Sequence, residues 1–303
     1  MSRLFDAVFK AGGEAAQVLY PAATDGTECY KSPAGVSVNE TLTASIRSNG
    51  TEASYRLAEL DEFIHERVEI QPETRITFYT EPRSVGADRI RYIRMHLRKL
   101  RESRSLKTLL ITSPIADDGK STIALNLATA LAEEGKHRVL LLEADLHHAS
   151  LVPQLGLAKP SAGLMDCLEG GVDPLSLLRR LDPLGWYLLP AGQTHSNPTD
   201  LLQTSSYASV IESLTNHFDW ILVDSPPVIA LTDAVFLRQH ADATLLVVRA
   251  GHTPQEAVEE AVRQVGREHI VGMVLNGVEG LDRLYSKYGG GYYEAGESGK
   301  SRV

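Results

Sequence analysis

The sequence predicts an α/β fold, a doubly wound and mostly parallel sheet with helices on both faces. From about residue 88 to residue 276, short apolar runs of strand length alternate with helical patterns. The runs are apolar throughout, which is typical of parallel strands that are buried on both faces. Strands that alternate with helices in this way indicate successive βαβ units.

Length and composition place the chain among ordinary globular proteins. It has 303 residues, of which 43% are hydrophobic and 23% are charged, and this length allows one large domain with an appendage. No run reaches the roughly 18 consecutive apolar residues that span a bilayer, and the charged N-terminus lacks the apolar stretch of a signal peptide. We therefore expect a cytoplasmic protein. The net charge of -9 argues against binding nucleic acid through bulk electrostatics.

The periodic part of the chain contains the strand and helix candidates. The predicted strands are Thr108–Thr112, Arg138–Glu143, Trp186–Pro190, Trp220–Asp224, Ala243–Val248 and Ile270–Asn276. The predicted helices are Asp88–Leu100, Lys120–Glu134, Tyr207–Asn216, Asp233–Gln239 and Pro254–Val265. Together these elements predict one domain over residues 78–278.

The two ends of the chain differ from this domain. Residues 1–77 are rich in polar and turn-forming residues and predict a largely irregular extension. Within them, apolar residues at helical spacing favour one short amphipathic helix over Tyr55–Val68. Residues 279–303 form a tail too rich in glycine to make a core. The tail contains the tyrosines Tyr285, Tyr288, Tyr292 and Tyr293.

A phosphate-binding loop is the central motif of the sequence. The segment SPIADDGKST, residues 113–122, follows a predicted strand and opens a predicted helix, the context in which such a match is meaningful. Free backbone N–H groups at a helix start face bound phosphates, and the helix dipole favours their negative charge. We therefore expect ATP to bind at this loop. The expected binding residues are Ala116, Asp117, Asp118, Gly119, Lys120, Ser121 and Thr122.

Individual loop residues have separate predicted roles. Gly119 lets the backbone approach the phosphates, Lys120 supplies a positive charge near the β- and γ-phosphates, and the Ser121 hydroxyl can bind magnesium. The carboxylates of Asp117 and Asp118 must point away from the nucleotide, because they would otherwise repel its phosphates.

Carboxylates follow two further predicted strands. Glu143 and Asp145 alternate at the end of one strand, so both side chains point to the same side, and Asp224 ends another strand. Acids at the carboxyl ends of parallel strands can face a bound ligand, and an apolar strand that ends in Asp is the usual magnesium-side partner of a phosphate loop. We therefore expect Ser121 and the three acids to bind magnesium. Together with Lys120, the acids are also the candidate catalytic residues.

With these motifs, the sequence resembles the bacterial tyrosine kinases of capsule and exopolysaccharide synthesis, which belong to the deviant phosphate-loop ATPases. The resemblance runs from about residue 88 to residue 277 and includes the tyrosine tail. Beyond the loop and the strand-end acids, it depends on the segments PAG at 190–192, NPTDLL at 197–202, DSPPV at 224–228, TDA at 232–234 and GMVLN at 272–276.

The resemblance implies an activity and further site residues. It implies an ATP- and magnesium-dependent protein-tyrosine kinase whose tail tyrosines are phosphorylated by a neighbouring subunit. Asn276, at the end of the last predicted strand, is expected beside the adenine. We expect Asp145 to orient or deprotonate the tyrosine hydroxyl, because a free tyrosine has a pKa near 10 and needs a proton acceptor.

The resemblance also implies partners. The segment DRIRYIR at 88–94 resembles the family's oligomerisation helix, and on a helix Asp88, Arg91 and Arg94 share one face that could pair with a neighbouring subunit. The expected partners are a ring-like homo-oligomer, a membrane activator of the chain-length-determinant class and a cognate tyrosine phosphatase, with no nucleic acid. The family's membrane module is not in this sequence, so we expect the stand-alone type, recruited to the inner face of the plasma membrane by its activator.

Differences from the family pattern leave other functions open. Glu143 stands where the family usually has Asp, His147 stands where it commonly has Arg, and the loop reads ADDGK rather than PGEGK. One alternative is an ATPase of the partition or septum-positioning type, which transfers phosphate to water. The other is a non-catalytic, nucleotide-sensing scaffold of polysaccharide export.

Overall fold

The computed structural model of the chain describes residues 64–71, 74–193 and 197–278. Within these residues, the strands all belong to one sheet. The strands are β1 (Ile64–Arg67), β2 (Thr108–Thr112), β3 (Val139–Glu143), β4 (Arg179–Asp182), β5 (Trp186–Leu189), β6 (Trp220–Asp224), β7 (Ala243–Arg249) and β8 (Ile270–Asn276). Their order across the sheet is β1-β4-β5-β3-β6-β2-β7-β8.

Helices connect most of these strands. They are α1 (Thr77–Thr80), α2 (Val85–Ser103), α3 (Lys120–Ala132), α4 (Leu151–Gln154), α5 (Leu164–Gly170), α6 (Pro198–Leu202), α7 (Ser205–Thr215), α8 (Asp233–Arg238) and α9 (Gln255–Val265). Among the residues that the structure describes, no helix has both the length and the apolar character needed to cross a membrane.

Parallel pairing extends through most of the sheet. Strand β2 pairs in parallel with β6 and β7, and β3 pairs in parallel with β5 and β6. The exception is β4, which is antiparallel to β5. The chain runs from β2 to β3 toward one edge of the sheet and from β6 to β7 toward the other. In open α/β sheets, ligands bind at the carboxyl ends of the strands where the direction reverses in this way. The predicted doubly wound, mostly parallel sheet is confirmed.

Apolar side chains at alternate strand positions divide the core into two layers. Leu109 and Ile111 pack with α1 to α4 on one face of the sheet, and Leu110 packs toward α5 and α7 on the other face. Strands β2, β3, β5 and β6 are buried along their whole length. Burial on both faces explains why these strands are apolar without alternation.

The N-terminal boundary differs from the predicted one. Ile64–Arg67 was predicted as the end of a helix over Tyr55–Val68, but it forms strand β1 and pairs in parallel with Arg179–Asp182. The helix prediction is wrong there because β1 is an edge strand held by charged pairs, such as Arg179 Nη1 with Glu66 Oε2 at 2.8 Å, so it carries no strand-like apolar pattern. The sheet therefore begins before residue 78, while residues 1–63 lie outside the described residues.

Candidate active site

The phosphate loop connects β2 to α3 at the carboxyl edge of the sheet. Gly119 precedes α3 with φ 92°, and a Cβ atom at this position would lie 2.1 Å from Asn276 Nδ2. The same Nδ2 atom donates to the Asp118 carbonyl at 3.0 Å. Only glycine suits this left-handed and crowded position. Ala116 is exposed at the loop tip and Thr122 is half-buried in the first turn of α3, whose N–H groups have no partner within the helix.

The loop lysine and serine contact two of the predicted acids. Lys120 Nζ lies 3.1 Å from Asp145 Oδ2, and Ser121 Oγ donates to Asp224 Oδ2 at 2.7 Å. Burial acts to lower the pKa of Lys120, but the charges of Asp224 and Asp145 raise it by more, so its ammonium group stays charged. Strands β3, β6 and β2 are neighbours, and this brings their carboxyl ends together. The structure therefore brings Lys120, Ser121, Asp145 and Asp224 together at one edge of the sheet.

Asp224 has the environment of a metal ligand. It is 1% exposed, and burial raises its pKa to about 7 in spite of the Lys120 charge and the Ser121 hydrogen bond. Its Oδ1 atom is buried and has no hydrogen-bond partner among the described residues. A buried carboxylate oxygen of this kind calls for a partner, and carboxylate and hydroxyl oxygens are the ligands that magnesium prefers. The residues present therefore fit a magnesium ion.

Glu143 is bound to the backbone of two loops. Its Oε1 atom accepts the Leu151 amide at 2.6 Å, and its Oε2 atom accepts the Ala191 amide at 3.1 Å. Burial raises the pKa of Glu143 in spite of these donors. The carboxylate therefore joins the loop after β3 to the loop after β5, and its direct binding of magnesium stays a prediction.

The acidic pair of the phosphate loop is tied to the turn after β7. Asp118 Oδ1 accepts the Thr253 hydroxyl at 2.5 Å, and Asp118 Oδ2 lies 3.4 Å from the Ile115 amide. Arg249 Nη1 donates to the Asp117 carbonyl at 3.1 Å. Asp118 is fully buried, and burial raises its pKa. Thr253 lies 135 residues from Asp118 along the chain, so no local motif could have indicated this contact.

The predicted oligomerisation residues of α2 are engaged within the chain. Arg91 Nη1 pairs with Asp88 Oδ1 at 2.8 Å, and the Arg91 guanidinium lies 5.0 Å from the centre of the Phe78 ring. Arg94 Nη1 donates to the Ala130 carbonyl at 2.8 Å, and the Arg94 side chain is only 14% exposed. The Arg94 guanidinium therefore turns inward to a carbonyl in the last turn of α3, and the pairing of Asp88, Arg91 and Arg94 with a neighbouring subunit stays a prediction.

The fold and the site together define a class of protein. A doubly wound sheet, a phosphate loop that opens a helix, and acids at adjacent strand ends are the features of a phosphate-loop nucleotide-binding domain. No family model matches the chain, but named relatives specify the class further.

Two relatives and one solved structure share this domain. The chain is 31% identical over 185 residues to the tyrosine-protein kinase CpsD of Streptococcus agalactiae. The matched region is 60% of this chain and 80% of that protein. It is 30% identical over 216 residues to the tyrosine-protein kinase YwqD of Bacillus subtilis, and this match is 71% of this chain and 89% of the relative. The kinase domain of the Escherichia coli tyrosine kinase ETK matches with a TM-score of 0.63 and 25% identity, over 67% of this chain and 80% of that one. The chain belongs to the family of bacterial tyrosine-protein kinases.

Proposed function

We propose that the protein is an ATP-dependent protein-tyrosine autokinase that regulates the polymerisation and export of exopolysaccharide or capsule. The observation that carries this proposal is the cluster in which Lys120 contacts Asp145 and Ser121 contacts Asp224 at one edge of the sheet. A loop cation, a loop hydroxyl and two strand-end carboxylates are the groups that phosphoryl transfer needs. Membership of the tyrosine-protein kinase family supports tyrosine as the acceptor.

ATP binds through the loop backbone and Lys120. The first turn of α3 begins directly after Gly119, and its free N–H groups favour the negative charge of phosphates placed there. The Lys120 ammonium is paired with Asp145 Oδ2 at 3.1 Å. Phosphate oxygens carry more negative charge than one carboxylate, so ATP draws this ammonium away from Asp145. Asn276, which contacts the loop at Asp118, lies on the side where we place the adenine.

Ser121 and Asp224 would hold magnesium beside the phosphates. The Asp224 Oδ1 atom, which has no partner among the described residues, is the direct ligand in this proposal, and the Ser121 hydroxyl is its neighbour. When bound, magnesium neutralises charge on the transferring phosphate. Glu143 supports this arrangement by fixing the loops after β3 and β5.

Asp145 accepts the proton of the attacking tyrosine. The tyrosine oxygen forms a bond to the γ-phosphorus, the bond from that phosphorus to the bridging oxygen of ATP breaks, and ADP leaves. The hydroxyl proton passes to the Asp145 carboxylate late in the reaction. Movement of Lys120 toward the phosphates releases the carboxylate for this role.

The proposed acceptors are tyrosines of the tail of a neighbouring subunit. Tyr285, Tyr288, Tyr292 and Tyr293 lie outside the described residues. Each phosphate adds roughly -1.5 to -2 charges, so phosphorylated subunits of a ring-like homo-oligomer repel one another. A membrane activator of the chain-length-determinant class and a tyrosine phosphatase are the proposed partners. The activator would recruit the protein to the inner face of the plasma membrane.

Mass spectrometry of residues 279–303 after expression tests this function. We expect phosphate on the tail tyrosines of the parent and none in Lys120→Met. Lys136→Met is the matched control, because the Lys136 side chain is 71% exposed and pairs only with a surface glutamate among the described residues. Release of free phosphate from ATP without phosphotyrosine would favour the positioning-type ATPase. ATP binding with neither product, in the presence of the activator, would favour the scaffold.

A further inference from the structure

A buried carboxylate joins two other segments beside the candidate site. Asp233, the first residue of α8, is 0% exposed. Its Oδ2 atom lies 3.0 Å from His147 Nε2, and its Oδ1 atom accepts the Thr199 hydroxyl at 2.7 Å. A hydrogen on His147 Nε2 would be donated to this carboxylate oxygen, because carboxylate oxygens are hydrogen-bond acceptors. Both oxygens of the buried Asp233 side chain therefore have a hydrogen-bond partner.

The three joined residues follow adjacent strands. His147 follows β3, Thr199 follows β5 and Asp233 follows β6, and these strands are neighbours in the order β5-β3-β6. The network therefore lies at the same edge of the sheet as Asp145 and Asp224. It gives a structural role to the NPTDLL and TDA segments, which contain Thr199 and Asp233.

His147 connects this network to the turn that carries Asp145. Asp145 Oδ1 accepts the His148 amide at 3.1 Å, so the conformation of residues 145–148 determines where the carboxylate points. His147 lies within this turn, and its bond to Asp233 anchors the turn to α8. The His147 side chain is 27% exposed, whereas the Asp233 side chain that it contacts is 0% exposed.

We propose that Asp233 is a positioning residue for phosphoryl transfer, which acts through His147 on the turn that carries Asp145. This proposal rests on the proposed function. A proton acceptor must be held close to its productive position, because small misplacements reduce turnover strongly. The Thr199 hydroxyl fixes the Asp233 carboxylate from its other side. His147 thus places a hydrogen-bonding nitrogen next to the Asp233 carboxylate. An arginine at this position could donate a hydrogen bond to the same carboxylate.

Substitution of His147 tests the link in the full chain. In His147→Ala we expect kcat for tyrosine phosphorylation to fall about tenfold or more, while KM for ATP changes by less than about threefold. His147→Arg should return kcat to within about threefold of the parent, because its guanidinium can donate to the same carboxylate. Thr199→Val, which removes one hydroxyl without a change of shape, should lower kcat by a smaller factor.

His269→Ala is the matched control. His269 Nε2 also faces a carboxylate, Glu268 Oε1 at 3.4 Å, but it lies just before β8, at the opposite edge of the sheet. We expect its kcat to stay within about twofold of the parent, because it contacts no group of the site. A kcat for His147→Ala equal to that of the parent would overturn the proposal, as would a loss that His147→Arg does not restore.

Hydrogen exchange separates this proposal from the proposed function. Exchange over residues 145–150 should be about tenfold faster in His147→Ala than in the parent, and unchanged in His269→Ala, whether or not the chain phosphorylates tyrosine. Faster exchange in a chain without kinase activity would support the anchoring of the turn and reject the kinase. Unchanged exchange in His147→Ala would reject the anchoring, even in an active kinase.

Discussion

The carboxyl edge of the sheet has two halves that are held by different kinds of contact. In the nucleotide half, above β2, β7 and β8, Asn276 and Arg249 donate hydrogen bonds to backbone carbonyls of the phosphate loop. In the acceptor half, above β5, β3 and β6, the buried carboxylates of Glu143 and Asp233 join separate loops. Lys120 connects the two halves, because its backbone belongs to the phosphate loop and its side chain contacts Asp145.

This difference indicates which property each half controls. The nucleotide half fixes the shape of the backbone that we propose binds phosphates, so changes there should act on the affinity for ATP. The acceptor half fixes the carboxylate that we propose receives the tyrosine proton, so changes there should act on turnover. Variants of the nucleotide half that change only turnover, or variants of the acceptor half that change only the affinity for ATP, would contradict this assignment.

Gly119→Ala should have the largest effect in the nucleotide half. The new methyl group would lie 2.1 Å from Asn276 Nδ2 and would occupy a left-handed backbone position, so the loop must change shape. We expect the Kd for ATP, measured by calorimetry, to rise at least about 100-fold, equivalent to about 3 kcal/mol. Gly135→Ala is the control, because it has a similarly positive φ of 62° and nothing within 4 Å of its Cβ position.

In Gly135→Ala, only the cost of placing a non-glycine residue in a left-handed conformation should appear. We expect this variant to lose about 1 kcal/mol of stability and to keep its affinity for ATP. An ATP affinity of Gly119→Ala equal to that of the parent would show that the Asn276 contact does not define the loop.

Thr253→Val should have an intermediate effect in the same half. Loss of the hydroxyl leaves the buried Asp118 Oδ1 without its donor, at a cost of about 1–3 kcal/mol. We expect a Kd for ATP raised about tenfold and a Tm lower by several degrees. In the control Thr215→Val, the lost hydroxyl donates to an exposed helix carbonyl, so both quantities should hardly change. An altered kcat with unchanged Kd would place Thr253 functionally in the acceptor half.

The buried Asp224 carboxyl should make the stability of the parent depend on pH differently from that of Asp224→Asn. Burial raises its pKa from 3.8 to about 7, so the folded chain holds this proton more tightly than the unfolded chain does. Protonated Asp224 therefore contributes to the free energy of unfolding. This contribution is fully present below about pH 4 and is lost as the pH rises through about 7. The Tm of Asp224→Asn relative to the parent should therefore increase between about pH 5 and pH 8, measured without nucleotide or magnesium. A Tm difference that stays constant over this range would contradict the prediction.

Arg94→Ala should have the smallest effect on the site. Its guanidinium contacts the last turn of α3, whereas the phosphate loop lies before the first turn. We expect a loss of about 1–2 kcal/mol of stability, from the lost hydrogen bonds to a charged group, with the Kd for ATP changed by less than about threefold. Lys99→Ala, at an exposed position of α2, is the control. A large loss of ATP affinity in Arg94→Ala would show that the far end of α3 also controls the loop.

The features that are predictable from the sequence have local patterns. Strands β2, β6 and β8 were predicted with their observed bounds, because each is a continuous apolar run; in β2 and β6 this run reflects burial on both faces. Strands β1 and β4 were not predicted, because they are polar and depend on each other at an edge of the sheet. The antiparallel pairing of β4 with β5 also departs from the βαβ pattern.

The same distinction applies to the site. The loop and the strand-end acids are recognisable because each is a short motif next to a strand. The contacts of Asp118 with Thr253 and of His147 with Asp233 join residues that are 135 and 86 positions apart, and no local spacing indicates them. The inward direction of Arg94 depends on where α3 packs against α2, which the helical pattern of α2 alone does not specify.

The end of β8 has a mechanical consequence for the nucleotide site. Asn276 holds the phosphate loop through its side chain, and its carbonyl accepts the Ala250 amide of the turn after β7 at 2.9 Å. The loop, this turn and the strand end are therefore linked directly to one another. Tension applied to the chain beyond residue 278 would reach the phosphate loop through the Asn276 side chain and, by way of the Ala250 turn, through the contacts of Arg249 and Thr253.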